Sequence, residues 1–94
     1  MKHCIIAKFN TTVTDKAAMI DHVEALFSSA PALDGIHGHT VLRNCVDREN
    51  RYDLAIIIDM DKAALPAWDA SELHREWKSR FGSYLASKAI FDFE

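Results

Sequence analysis

One carboxylate stands inside the apolar C-terminal segment AIFDFE, residues 89–94. Side chains alternate between the two faces of a strand, so Asp92 shares a face with Ile90 and not with its neighbours Phe91 and Phe93. A carboxylate on a packed face is costly to bury without a partner. A histidine would satisfy it, and the carboxylate would orient the imidazole, which is how many active sites hold a general base. The segment therefore predicts that Asp92 needs a hydrogen-bond donor, and a histidine in that place would be either structural or catalytic.

Two other groups of residues could bind ions. His37 and His39 would lie on one face of a strand, about 7 Å apart along the chain. Two imidazoles can begin a metal site, but no third ligand follows at short spacing, so neither a metal nor a cofactor is predicted. Arg43, Arg48 and Arg51 surround a polar stretch and could meet an anion, although a solvated loop is the simpler interpretation.

The composition is that of a small globular protein with a single domain over residues 1–94. Of the 94 residues, 49% are hydrophobic, which is enough for one core. The net charge is −3 and no basic run occurs, which argues against nucleic acid as a partner. No apolar stretch is long enough for a bilayer and no signal peptide is recognisable, so no membrane association is expected. Cys4 and Cys45 are too few for a disulfide framework, which favours reduced thiols and a cytoplasmic location.

The elements that must position these residues follow from the spacing of apolar side chains. Period-two spacing predicts four strands, over residues 2–10, 36–44, 52–60 and 88–93. Helical spacing predicts an amphipathic helix over 15–29, capped by Thr14, and a last helix that follows a cap at Asp69 or Ser71. A short helix over 61–67 lies before it. The order β-α-β-β-α-β predicts an α+β, ferredoxin-like fold, in which helices cover one face of a four-stranded antiparallel sheet.

The third predicted strand is apolar on both faces over residues 54–58. Since the helices cover one face only, a monomer would expose a larger apolar patch than such proteins usually tolerate. Packing the bare face against a second copy gives a two-fold homodimer with a barrel between the sheets. Loops that fold over this face are the alternative, although the loops of this chain are short.

Short motifs along the whole chain resemble the stress-responsive A/B-barrel (Dabb) family, within the dimeric α/β-barrel superfamily. They are, in order, Lys2-His3 ahead of Ile5–Phe9, Gly35-Ile36, Arg43-Asn44, Tyr52–Ala55, His74 and Ile90–Phe93. The resemblance implies a dimeric α+β barrel, in agreement with the bare sheet. Two positions depart from the family pattern. Leu42 stands where glycine is usual, and Ser71–His74 replaces His-Pro-x-His, so only the second histidine is present.

One branch of the family resembles plant polyketide cyclases such as olivetolic acid cyclase, and this distant similarity implies a set of site residues. There, a histidine acts as base in an aldol closure, helped by an aspartate and a tyrosine. The histidine and the aspartate correspond to His74 and Asp92, whereas Trp68 stands at the tyrosine position and has no acidic hydroxyl. The resemblance thus implies His74 as base and Asp92 as its orienting partner. The implied ligand pocket, between sheet and helices, is lined by His3, Ile5, Ala7, Trp68, Trp77 and Ile90.

These inferences predict a small cytoplasmic homodimer that binds a small, partly apolar molecule. A cyclase- or aldol-type enzyme with a His74–Asp92 pair is one alternative, and a cofactor-free monooxygenase on the related barrel fold is another. A cavity with His74 at its wall would support the enzyme hypotheses, and a filled interior would count against both.

Overall fold

A four-stranded antiparallel sheet, with helices packed on one face, forms the computed structural model, which describes all residues 1–94. The strands are β1 (Lys2–Phe9), β2 (Ile36–Arg43), β3 (Leu54–Met60) and β4 (Leu85–Phe93). The helices are α1 (Lys16–Phe27), α2 (Leu65–Asp69) and α3 (Glu72–Phe81). Single 3₁₀ turns lie at Ala30–Ala32, Lys62–Ala64 and Gly82–Tyr84. The predicted α+β, ferredoxin-like fold is confirmed.

The strand order β2-β3-β1-β4 leaves β2 and β4 at the edges of the sheet. Each strand is antiparallel to its neighbours. Because β1 begins where β4 ends, the N-terminal residues of the chain pair with its C-terminal residues. His3 lies opposite Asp92, and Cys4 lies opposite Phe91. This register brings the two ends of the sequence into one site.

The core lies between the sheet and the helices. Alternate residues of the two central strands face it, and all of them are buried: His3, Ile5, Ala7 and Phe9 of β1, and Leu54, Ile56, Ile58 and Met60 of β3. The helices supply Ile20, Val23, Leu26 and Phe27 of α1, Trp68 of α2, and Leu73, Trp77 and Phe81 of α3. Aromatic rings thus fill much of the space between α3 and the sheet.

One helix cap differs from the sequence expectation, and each predicted strand differs at one boundary. Asp15 and not Thr14 caps α1, since its carboxylate accepts a hydrogen bond from the Ala18 amide at 3.0 Å. Ser71 caps α3, as one of the two predicted alternatives. β4 begins at Leu85, three residues before the predicted start, because the 3₁₀ turn after α3 returns the chain to the sheet at once.

A glycine permits the close approach that positions α2. Gly35 has a positive φ of 79°, which L side chains rarely adopt. A Cβ atom added there would lie 2.7 Å from the Cβ of Ala64, in the turn that leads into α2. The Gly35 carbonyl also accepts a hydrogen bond from the Asp61 amide at 2.8 Å. Gly35 therefore lets the chain ahead of Trp68 pack closely against the start of β2.

The other face of the sheet, here called the open face, is apolar and uncovered. Its apolar residues are Cys4, Ile6, Leu42, Ala55, Ile57, Ala89, Phe91 and Phe93. Phe91 is 63% exposed and Leu42 is 49% exposed, so no loop folds over them. The alternative of a loop-covered face is therefore wrong for these residues. None of the helices has the length and hydrophobicity needed to span a membrane.

Candidate functional site

His3 supplies the hydrogen-bond donor that Asp92 needs within its apolar segment. They face each other across the β1–β4 ladder, and His3 Nδ1 lies 2.5 Å from Asp92 Oδ1. The His3 side chain is 6% exposed, whereas that of Asp92 is 37% exposed because β4 is an edge strand. The carboxylate therefore meets a buried imidazole on one side and solvent on the other.

The predicted pairing of Asp92 with His74 is wrong. His74 lies in the first turn of α3, where its Nδ1 donates to the Asp69 carbonyl at 2.9 Å. This local bond holds the ring at the α2–α3 junction, while the strand register places His3 directly beside Asp92. One signal in the sequence pointed towards the N-terminal strand, although it did not specify the register that selects His3. A ferredoxin-like order pairs the start of the first strand with the end of the last.

Trp68 lies between the two histidines. Its ring centroid is 6.4 Å from that of His3 and 5.2 Å from that of His74. Phe27 of α1 packs on the same indole at 5.9 Å, and Trp68 is only 1% exposed. Its Nε1 atom is buried and has no hydrogen-bond partner in the protein. We call this group the His–Trp cluster; it consists of His3, Trp68, His74 and Asp92.

The hydrogen bonds of the cluster assign the imidazole tautomers. A backbone carbonyl can only accept, so Nδ1 of His74 carries the proton that Asp69 receives. An ionised Asp92 is likewise an acceptor, so Nδ1 of His3 is the donor. In the neutral form, each ring then keeps a lone pair on Nε2. Both histidines can therefore accept a proton or a hydrogen bond through that atom.

The six predicted pocket residues are brought together, but mostly as packed core. His3, Ile5, Ala7, Trp68 and Trp77 are all buried, whereas Ile90 is 50% exposed. The Trp77 ring packs edge-on against Phe27 at 5.6 Å and helps to fill the space between them. None of the four main cavities is lined by any of these six residues or by His74. On its sheet side, the cluster is accessible at the β4 edge, where Ile90 and Asp92 are partly exposed.

The larger clefts lie at the other end of the sheet. One of about 660 Å³ and another of about 540 Å³ meet around the start of α1 and the β2–β3 loop. Asp53, which is buried, forms their shared floor. It accepts hydrogen bonds from the Phe9 amide at 2.8 Å and from Lys16 Nζ at 3.0 Å. Sequence reasoning did not single out Asp53, although a carboxylate at the start of an apolar strand could have drawn attention to it.

Two of the ion-binding candidates, Arg43 and His37, have carboxylate partners within the protein. Arg43 binds Asp21 at 2.6 Å, and this hydrogen bond raises the pKa of the guanidinium above its ordinary value. A β-bulge at His37 interrupts the pairing of β2, so the regular alternation that would align it with His39 does not hold. His37 instead contacts Asp61 at 2.8 Å on the surface. No group of three or more His, Cys, Asp or Glu residues could hold a metal ion.

Solved structures share this fold across nearly the whole chain. A dimeric ferredoxin-like protein of unknown function from Thermobifida fusca has a TM-score of 0.82 and 21% identity, over 98% of this chain and 87% of its own. A dimeric protein of unknown function and ferredoxin-like fold from Bacteroides fragilis has a TM-score of 0.81 and 16% identity, over 99% and 93%. A hydroxynitrile lyase from Passiflora edulis has a TM-score of 0.76 and 12% identity, over 98% and 89%. At these identities, the likeness establishes the fold alone.

The comparison of the sequence with protein families is more specific. No curated protein matches the chain. The family model of the stress responsive A/B barrel domain, however, matches residues 1–94, which is the whole length. The chain therefore belongs to the stress responsive A/B barrel (Dabb) family.

Proposed function

We propose that the protein is a cytoplasmic, single-domain homodimer that binds a small, partly apolar molecule beside the His–Trp cluster. The open face supports the homodimer, because Phe91, Phe93 and Leu42 are exposed together on a sheet with no covering layer. The absence of a disulfide between the two free cysteines fits a reducing compartment. The dimeric state of the two bacterial structures of the same fold supports the assembly.

A second copy is the partner that best fits the open face. A two-fold interface needs a self-complementary surface, and an apolar centre meets this need without matching charges. Phe91 and Phe93 lie 6.1 Å apart and add two exposed rings to the apolar surface on the β4 side of the sheet. The charged pair Lys2–Asp59, at 2.8 Å, lies towards one end of the face and would belong to the polar rim.

The ligand part of the proposal rests on the unused hydrogen-bonding capacity of the cluster. Trp68 Nε1 is a buried donor without a partner, and both imidazoles keep an Nε2 lone pair. Ile90 adds an exposed apolar surface on the same side of β4. A molecule with a small apolar body and one or two polar atoms matches this combination. Since the interior is filled, the ligand would bind at the β4 edge and displace side chains only locally.

The filled interior counts against both enzyme hypotheses, and the His3–Asp92 hydrogen bond at the β4 edge is the single observation that favours proton transfer as a second candidate. A carboxylate that holds Nδ1 leaves Nε2 as the basic atom, so His3 would act as base and Asp92 as its orienting residue. This replaces the His74–Asp92 pair of the cyclase hypothesis. The Passiflora enzyme is a catalyst built on the same architecture, but its identity of 12% transfers no reaction. The monooxygenase hypothesis gains no specific contact from the structure.

Two measurements test the proposal. Sedimentation equilibrium at micromolar concentration should give about twice the chain mass of 10.6 kDa, and a monomer would overturn the assembly. A thermal-shift screen of small metabolites should raise the melting temperature of the wild type. The same compounds should stabilise a Trp68→Phe variant less. A screen in which no compound discriminates between the two proteins would contradict binding at the cluster.

A further inference from the structure

A buried carboxylate forms the shared floor of the two large clefts at the start of α1. The Asp53 side chain is only 9% exposed, yet it borders both the cleft of about 660 Å³ and the adjoining one of about 540 Å³. Both clefts open to solvent, so a small molecule reaches this carboxylate without disturbing the core. A carboxylate is costly to bury unless donors surround it. Asp53 therefore marks a position where donors, from the protein or from a ligand, are favoured.

Two N–H donors hold Asp53, and one of them is an ammonium group. The Phe9 amide donates to Oδ2 at 2.8 Å, and Lys16 Nζ donates to Oδ1 at 3.0 Å. An ionised carboxylate offers about four acceptor positions, so about two are left. The Lys16 side chain is 53% exposed, and an ion pair of this kind is weak enough for a ligand to displace. The contact also shows that a primary ammonium group fits on this carboxylate.

The charges around the larger cleft favour a cation. Three carboxylates line it, those of Asp15, Asp47 and Asp53, against the two cations Lys16 and Arg43. Arg43 is already bound by two acidic residues of α1 that do not line the cleft, at 2.6 and 3.4 Å. Asp15 and Asp47 form no ion pair with any residue. The larger cleft thus holds an excess of unpaired negative charge.

The smaller cleft has the opposite balance, and this difference places the ligand. Four cations line it against three carboxylates, because Lys8, Arg48 and Arg51 join Lys16 there. An incoming cation is therefore directed to the larger cleft. That cleft also contains apolar side chains, among them Val13 and Val46, which would receive an alkyl chain.

We propose that the larger cleft, between the start of α1 and the β2–β3 loop, binds a small primary amine with a short apolar chain. The ammonium group takes the place of Lys16 Nζ on Asp53 through a charge-assisted hydrogen bond. The apolar chain lies against Val13 and Val46. This site is separate from the His–Trp cluster, and the inference does not depend on the ligand proposed there.

Three hexyl compounds separate the ammonium hydrogen bond from charge and from apolar contact. Hexylamine is a protonated primary amine at neutral pH, hexyltrimethylammonium has the charge without an N–H donor, and hexan-1-ol has a hydroxyl group without the charge. In titration calorimetry, the wild type should bind hexylamine about three- to tenfold more tightly than either of the others, as expected for one net hydrogen bond. In ¹⁵N-labelled protein, hexylamine should shift the Phe9 amide resonance saturably, because this amide donates to the same carboxylate. The amides around Asp92, at the other end of the sheet, should move little.

Variants test the role of each partner. Lys16→Met removes the competing ammonium group and should tighten hexylamine binding about two- to fivefold, as expected for an exposed ion pair. Hexyltrimethylammonium should gain less. Asp53→Asn keeps the size of the side chain and should abolish the preference for hexylamine over hexan-1-ol. Asp59→Asn is the matched control, since it removes the same charge from a carboxylate that pairs with Lys2 and does not line this cleft, and it should bind hexylamine as the wild type does.

Four results would overturn the proposal. Equal binding of the three compounds would mean apolar contact alone, and equal binding of the two cations with an unmoved Phe9 amide would mean diffuse attraction. Weaker hexylamine binding by Lys16→Met would make Lys16 a ligand contact and not a competitor, and binding by that variant alone would mean that Lys16 closes the site in the native protein. If Asp53→Asn does not fold, the three probes on the wild type and on Lys16→Met still decide the matter.

Discussion

Phe91 and Asp92 are neighbours in the chain but act on opposite faces of β4. The Phe91 ring lies on the open face and is 63% exposed, whereas the Asp92 carboxylate holds His3 on the helix-facing side. β4 is an edge strand, held by β1 alone within the protomer. A partner that packs against Phe91 would therefore also fix the strand that carries Asp92. In this arrangement, the assembly surface and the candidate site share one structural element.

The first prediction concerns the open face. Phe91→Asp places a charge on the proposed interface, at its most exposed phenylalanine, and should give a monomer or an aggregate in sedimentation equilibrium. Val46→Asp is the matched control, because Val46 is also exposed but lies in the β2–β3 loop. The control should keep the mass of the wild type. A dimeric Phe91→Asp protein would place the interface elsewhere.

The second prediction concerns His3 and Asp92. Asp92→Ala removes the acceptor of a buried imidazole and should lower the free energy of unfolding by about 1–3 kcal/mol. Asp69→Ala serves as control, since His74 uses the backbone carbonyl of Asp69 and not its side chain. Urea denaturation at one fixed protein concentration measures both effects.

A double-mutant cycle then decides which histidine is the partner. The effects of His3→Ala and Asp92→Ala should be strongly non-additive, because each removes the same hydrogen bond. His74→Ala and Asp92→Ala should couple much less, because His74 bonds Asp69 instead. A larger coupling for His74 than for His3 would refute the assignment.

The third prediction concerns Asp53, the floor of the two large clefts. Asp53→Ala leaves the Phe9 amide without its acceptor and should cost about 1–3 kcal/mol in the free energy of unfolding. Lys16→Met removes only the exposed partner of the same carboxylate and should cost about 0–1 kcal/mol. Equal losses for both variants in urea denaturation would show that the ion pair and not the buried amide contact dominates.

The fourth prediction concerns pH and Asp59. The hydrogen bond from Lys2 lowers the pKa of the Asp59 carboxyl below its ordinary value. A carboxyl with a lowered folded pKa stabilises the protein above its unfolded pKa, about 3.9, and this contribution is lost as pH falls through the folded pKa. Asp59→Asn should therefore reduce the fall in stability below about pH 4. Lys2→Met should have the same effect. If the stability of either variant falls at low pH as much as that of the wild type, the result would argue against the Lys2–Asp59 pair.

The fifth prediction concerns the two thiols. Burial raises the pKa of Cys4, and the nearby Asp92 charge adds to the effect, so little reactive thiolate is present near neutral pH. Cys45 is exposed. Iodoacetamide should therefore label Cys45 first in the native protein, and Cys4 only after denaturation. Under denaturant, titration should find two free thiols, whereas one intramolecular disulfide in non-reducing mass analysis would contradict the structure.

The sequence by itself determined the order of elements, because the spacing of apolar residues is a local property of each strand and helix. It also predicted that one apolar face of the sheet is bare, although only the register shows that Ile6 and Ile57 both lie on that face. The apolar alternation of β3 places Leu54, Ile56 and Ile58 towards the helices and leaves Ile57 on the other side. Likewise, the position of Asp92 in an apolar segment predicted that it needs a hydrogen-bond donor, whereas the choice of a histidine came from the family resemblance. The boundaries were less certain, since Thr14 and Asp15 are both good caps and only backbone geometry selects between them.

The tertiary structure alone decided which histidine that partner is and how the site is filled. His3 and Asp92 are 89 positions apart, and they meet through the strand register, which no local pattern specifies. His74 instead bonds the Asp69 carbonyl at the junction of α2 and α3, and so does not pair with Asp92. The expected pocket between sheet and helices is occupied by Trp68 and Trp77, because packing depends on the combined volumes of side chains from several elements. The unpaired indole N–H of Trp68 follows from that packing, since it depends on where every neighbouring acceptor is already bound.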